Sequence, residues 1–489
     1  MKTNIRMFKR LAGSLMASYL LVGLLASCQD ATSDDADKTS ESAVATSASG
    51  TTPSTDEAKA DEAKADEAKA DEAKADEAKA DEAKGKFDPS GIVLTPSQRQ
   101  KAQWALVGRL LAEKDPTTLS PTQADLAMSP TSLINALQAL WWGTRGETAL
   151  ELAQLFDAKP DKDQPAPVGE AKPDKGADKT AALGGSVNLS MGSALWFNEA
   201  FPVKEAYRKL LESRGSGAAE AVDWSQTESA IATVNQWCAK ATDGKIKTLF
   251  EPGDIRPPVA FVLASVISFK GSWSQAFDAA STRGGDFSLL NGDKFPAAYL
   301  TSTRKTPHAV LDDGTQLLEL PFGAGKQRFV AVLPPKAGAE ALSQLEKQVA
   351  AKMPEWLAKL TETEVAISLP KFDVTVATDP VAALQALGVK KIFSDKLADF
   401  SGASDSRGLK LDVIRHQAMV SIDEKGAEAA GATGASVTLK NLQKTPEFRA
   451  DRPFLFFILG DDGDVLFAGR VAAPKAGGAV SAGIEQPAL

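Results

Sequence analysis

The stretch Glu424-Lys425-Gly426-Ala427-Glu428-Ala429-Ala430-Gly431-Ala432-Thr433 decides how the rest of the chain is read. A strand shows its side chains to opposite faces with period two. From Ala427, one face carries Ala427, Ala429, Gly431, Thr433, Ala435 and Val437, and the other Glu428, Ala430, Ala432, Gly434, Ser436 and Thr438. One face is therefore wholly small or apolar, and the only charge lies on the other. Glycine and alanine form isolated strands poorly, so by composition alone the segment is a loop. Its neighbours give it a different meaning.

Downstream, Pro453 to Leu459 and Val465 to Val471 are apolar runs separated by Gly460-Asp461-Asp462-Gly463-Asp464, which predicts a hairpin. The acidic turn lacks the closing glutamate of a calcium loop. Upstream, Ala260 to Phe269 is a continuous apolar, β-branched run and predicts a strand buried on both faces. Leu133, Leu137 and Leu140 follow Ser129-Pro130 at helical spacing. Helices come mostly early and strands mostly late, so the class is α+β without regular βαβ alternation.

The chain has 489 residues, net charge -9 and 43% hydrophobic residues, a composition suited to a soluble globular domain with a charged tail. Lys2, Arg6, Lys9 and Arg10 precede an apolar run from Leu11 to Leu25 that ends in Leu25-Ala26-Ser27-Cys28. About 15 apolar residues are too few to span a bilayer, which needs about 20. The segment reads as a signal peptide over residues 1–27, with Cys28 resembling the lipidated cysteine of bacterial lipoproteins. Residues 28–86 form a stalk in which Asp-Glu-Ala-Lys recurs six times, five residues apart, from Asp56 to Lys84. Such repeats make partly helical spacers. Acidic residues outnumber basic ones there by about nine, so the negative charge says nothing of the globular part.

The predicted domain covers residues 87–474, with a soft insertion at 158–185 and a Gly- and Ala-rich tail, expected to be disordered, at 475–489. With Cys28 assigned, Cys238 is alone and reads as a small buried residue; no disulfide is expected. A single core can hold a domain of this size.

Signals for enzyme chemistry are sparse. The only histidines are His308, which reads as a surface residue in a polar stretch after Pro307, and His416. No zinc ligand cluster, nucleophile elbow or phosphate loop is present, and no basic aromatic-studded face points to nucleic acid. The chain is expected not to be an enzyme and to need no metal or cofactor.

Six segments in order resemble the serpin family. They are Ser129-Pro130-Thr131-Ser132-Leu133; Asn235-Gln236-Trp237 with Thr242-Asp243-Gly244-Lys245-Ile246; Phe269-Lys270-Gly271-Ser272-Trp273; Leu369-Pro370-Lys371-Phe372; His416-Gln417-Ala418 leading to the opening decapeptide; and Arg452-Pro453-Phe454 with Leu466 to Val471. The resemblance implies three β-sheets, about nine helices and an exposed reactive-centre loop. It further implies inhibition as a suicide substrate: a protease cuts the loop, and the loop inserts into the large sheet while still esterified to the enzyme. About 12 new ladder bonds at roughly 0.5–1.5 kcal/mol each would yield on the order of 6–18 kcal/mol.

Carried onto this sequence, the hinge comprises Glu424, Gly426, Ala427, Glu428, Ala429, Ala430, Gly431, Ala432 and Thr433. Counting 16 residues on from Glu424 puts the attacked bond between Lys440 and Asn441. That implies a trypsin-like serine protease, or a cysteine protease, as target. Ser129, Ser132, Ser265, Trp273 and His416 fall at the positions that guard the opening of the sheet. Where the family bonds this histidine with an asparagine, Ser265 has a shorter reach, and Ser268 replaces a tyrosine. The insertion has mixed charge, so no glycosaminoglycan cofactor is expected. The protein is expected to be a monomer anchored to a bacterial envelope through Cys28. The rival reading is a non-inhibitory surface binding module on the same fold.

Overall fold

A computed structural model describes residues 87–159, 187–215, 218–425 and 445–475. Among them are seven α-helices: α1 (Pro96–Glu113), α2 (Pro130–Trp142), α3 (Gly146–Leu155), α4 (Glu205–Arg214), α5 (Thr227–Ala241), α6 (Ala339–Leu357) and α7 (Val381–Ala386). Five strands form one sheet in the order β10 (Phe372–Thr378), β11 (Leu411–Ile422), β4 (Phe261–Gly271), β2 (Val187–Asn198), β3 (Ala218–Val222). A nine-stranded sheet runs β1 (Leu126–Met128), β14 (Val465–Val471), β13 (Phe454–Leu459), β8 (Gln327–Leu333), β7 (Gln316–Phe322), β6 (Lys294–Val310), β9 (Thr361–Pro370), β12 (Glu447–Arg449). The ninth strand, β5 (Arg283–Ser288), pairs with β6 beside this path. The 17-residue β6 bonds β5 and β9 along its length and β7 only over its last three residues. Hydrogen bonding therefore runs unbroken along this path, and the described strands form two continuous sheets.

The elements that position the site follow from local sequence. Ser129 caps α2, its hydroxyl accepting from Ser132 N, and Pro130 occupies the first turn, where no N–H is needed. Leu133, Leu137 and Leu140 are buried, and α2 lies deep in the core. β4 is buried on both faces, as its unbroken apolar run predicts. Val262, Ala264 and Val266 pack against Ile231, Val234 and Cys238 of α5. Phe261 and Leu263 face the cluster that contains α2, and Ile267 and Phe269 face the aromatic core of the larger sheet. The predicted hairpin is β13–β14, with Gly463 in the left-handed region at φ 85° closing the turn. Cys238 is fully buried in the α5 cluster, and burial pushes its thiol up to about 12.

Candidate functional site: a parallel seam and its latch

The five-stranded sheet has two parallel joints among the described residues, β2 with β3 at its edge and β11 with β4 in its interior. β11 pairs with β4 in parallel, from Leu411 opposite Phe261 to Ser421 opposite Lys270. β10 pairs antiparallel with β11, and β2 pairs antiparallel with β4. Parallel pairing is slightly less stable per residue than antiparallel. A chain leaving β11 at Ile422 and doubling back would run antiparallel to both seam strands at once.

Behind the seam, the start of α2 meets the centre of both strands. His416 lies opposite Ser265 in register, so the shorter side chain reaches it: His416 Nδ1 and Ser265 Oγ are 3.0 Å apart. The backbone N–H of Ser129 donates to His416 Nε2 at 2.8 Å. Nε2 is thus an acceptor, the proton sits on Nδ1, and Ser265 Oγ accepts from it. Ser265 Oγ is in turn 2.8 Å from Ser132 Oγ, which lies 3.4 Å from Ser193 Oγ on β2. Ser129, Ser265 and His416 are fully buried. Burial pushes the imidazole down to about 3, only partly offset by Ser265. The positive end of α2 also disfavours a cation there. The network therefore ties α2, β2, β4 and β11 through a neutral histidine.

A latch closes the hinge end of the seam. Trp273, just past β4, donates from its backbone N to Lys425 O at 2.9 Å and from Nε1 to Asp423 O at 2.8 Å. Its indole stacks on Phe322 at 4.5 Å and 14°. Phe277 N donates to Glu424 O at 3.0 Å. The Glu424 carboxylate accepts from Lys371 Nζ at 2.8 Å and from Thr282 Oγ1 at 2.9 Å. Burial works against that carboxylate, but these bonds outweigh it and hold its pKa below the usual range. Replacing Lys371 with methionine should destabilise the uncut protein by about 1–3 kcal/mol, the loss of a charge-assisted bond, read as a lower urea midpoint at pH 7. An unchanged midpoint would show the pair to be idle.

The structure brings Ser129, Ser132, Ser265 and His416 together and places Trp273 with Glu424 at the hinge end. Gly426, Ala427, Glu428, Ala429, Ala430, Gly431, Ala432, Thr433, Lys440, Asn441 and Cys28 lie outside the described residues. Lys371 stood within a quoted motif, but its pairing with Glu424 was not anticipated; the opposite charges were the available signal. Thr282 and Ser193 gave none. The surface assignment of His308 is corrected: it is only 5% exposed. Pro307 and the flanking polar residues suggested a loop, whereas β6 continues through them and alternates exposed Lys305 with buried Thr306 and His308.

A family model described as Serpin (serine protease inhibitor) matches residues 112–474. The chain belongs to the serpin family. Serpin B11 of Mus musculus is 32% identical over 365 residues, covering 72% of this chain and 93% of that protein. Leukocyte elastase inhibitor of Equus caballus is 30% identical, covering 75% of this chain and 96% of that protein. Among solved structures, the native stressed conformation of AtSerpin1 from Arabidopsis matches at TM-score 0.67 with 25% identity, over 78% of this chain and all of that one. Uncleaved ovalbumin shares the fold at TM-score 0.65 and 23% identity, over 80% of this chain and all of that one. The serpin domain here is thus mixed α and β, with the loop-bearing β11 and β4 directly paired.

Proposed function

We propose that this serpin inhibits a trypsin-like serine protease as a suicide substrate. The protease serine Oγ attacks the carbonyl of Lys440; an ester forms, the amide bond breaks, and the amine of Asn441 leaves with a proton. The freed strand, tethered at Ile422, then enters between β11 and β4 and drags the esterified enzyme with it. The observation that carries this is the direct parallel pairing of β4 with β11, the strand that feeds the loop. Inserting one antiparallel strand replaces a parallel ladder of ten register pairs with two antiparallel ones. On the order of 5–15 kcal/mol from about ten new bonds is comparable to a domain's whole stability and suffices to distort a bound enzyme. Lys440 supplies the cation that a carboxylate-bearing specificity pocket takes.

Mixed with trypsin, the protein should give a covalent complex that survives boiling in detergent. Mass spectrometry should find the released fragment beginning at Asn441. Cleaved serpin beside fully active trypsin would favour the binding-module reading, and another start residue would move the attacked bond.

We further propose that residues 1–27 direct export, that Cys28 carries a lipid, and that residues 28–86 hold the trap away from a bacterial envelope. Labelled fatty acid should enter the wild-type chain in a bacterial host and not the Cys28→Ala variant. Equal labelling of both would remove the anchor.

A further inference from the structure

The segment 426–444 joins β11 to β12, so an uncut loop is held at both ends. β12 is a slight anchor: three residues long and, among the described residues, paired only with β9, parallel to it. Glu447 and Arg449 are exposed, while Phe448 between them is fully buried. Flanking bonds add little, with Ala366 N donating to Pro446 O and Ala450 N to Ser368 O, both at 2.9 Å. Arg449 also lies over the Tyr299 ring at 5.8 Å, and the strand's one fully buried side chain is Phe448 in its pocket.

One wall of that pocket is His308. Its ring meets the Phe448 ring at 6.3 Å and 84°. In the sheet it lies between Leu318 of β7 and Thr361 of β9, and its Nε2 is 3.2 Å from Gln316 Oε1. We propose that His308 is an acid-sensitive catch on β12: its neutral ring completes the pocket for Phe448, and protonation releases the strand and with it the far end of the loop.

The physical reason is the cost of a cation in an apolar pocket, which release of β12 would open to water. Burial lowers the titration point of His308, and the hydrogen bond to Gln316 offsets part of that. The charged groups on the surrounding strands do not oppose the change. Glu319 of β7 pairs with Arg328 at 3.3 Å. On β6, Lys305 is exposed and Arg304 donates to Gln275 O. Glu362 and Glu364 of β9 are exposed, as are Glu447 and Arg449 of β12. None of these contributes to the shift of His308.

Because the lowered group binds its proton more readily once released, the closed strand is fully favoured above about pH 6.5 and loses ground as pH falls. One proton taken up on release raises the open population by up to about tenfold between pH 7.5 and 5.5. With the inhibitory reading above, on which this consequence rests, acid would allow the uncut loop to insert and the trap to spend itself without a protease.

Hydrogen exchange of the full chain, normalised for intrinsic rates, tests the catch without any inhibition assay. Peptides covering residues 445–450 should exchange up to about tenfold faster, relative to the intrinsic rate, at pH 5.5 than at pH 7.5. His308→Phe, or His308→Gln if the first folds poorly, should abolish that difference. Peptides from β4 and β11 should keep their own acid response in both variants. Equal protection of wild-type β12 at the two pH values would overturn the proposal, as would an unchanged acid response in a folded variant. Failure to trap trypsin would remove only the stated consequence.

Discussion

If the protein inhibits as proposed, Ala427→Arg should turn it from a trap into a substrate. Ala427 leads the uncharged face of small or apolar residues in the loop sequence, and its inner neighbours on insertion would be side chains such as Ile267, Phe269, Ala418 and Val420, all buried. An arginine there takes a cation into that core without a partner, which costs several kcal/mol and falls on the first step of insertion. In the proposed mechanism cleavage at Lys440 precedes insertion, so it should proceed at an unchanged rate. The yield of detergent-stable complex with trypsin should drop at least about tenfold, with cleaved serpin accumulating instead. Glu428→Lys, on the opposite face, should leave the yield within about twofold. Equal losses in both variants would show that the assigned faces are wrong.

The second large effect is acid lability centred on His416. The folded value of about 3 lies well below the ordinary 6.5. A depressed histidine contributes stability that is complete above 6.5 and is lost as pH falls toward 3. At about 1.4 kcal/mol per pH unit, the full window is worth on the order of 5 kcal/mol. Protonation would also set a second N–H against the Ser129 amide, so acid acts directly on the tie between α2 and the seam. Urea midpoints should fall steeply from pH 7 to pH 4. His416→Gln should be less stable at pH 7, because Ser129 N–H or Ser265 loses its partner, and should fall less steeply with acid. Parallel pH profiles for the two proteins would contradict this assignment.

Much of the scaffold was legible because local and tertiary signals agree. The apolar, β-branched run ending at Phe269 pointed to a strand covered on both sides, and α5 and the aromatic core cover it. Ser129-Pro130 and the leucine spacing marked α2. What periodicity could not give was register. The pairing of Ser265 with His416 depends on how β4 and β11 align, and that alignment lets a serine, despite its shorter reach, meet the imidazole directly. The Lys371–Glu424 latch joins residues 53 apart and needed the same alignment. His308 was misjudged because Pro307 argues against a central strand. The proline is tolerated where β6 borders β9, its partner there being Glu362, and local propensity yielded to the sheet around it.

The central claim is that the cut loop becomes a strand between β4 and β11, and heating the protein before and after cutting tests it most directly. A protease that clips the loop without being trapped should leave the chain in two associated pieces. If the loop inserts, on the order of 5–15 kcal/mol of new ladder bonding should raise the melting temperature by about 6–20 °C for a domain of this size. A melting temperature that stays the same or falls after cleavage would contradict insertion.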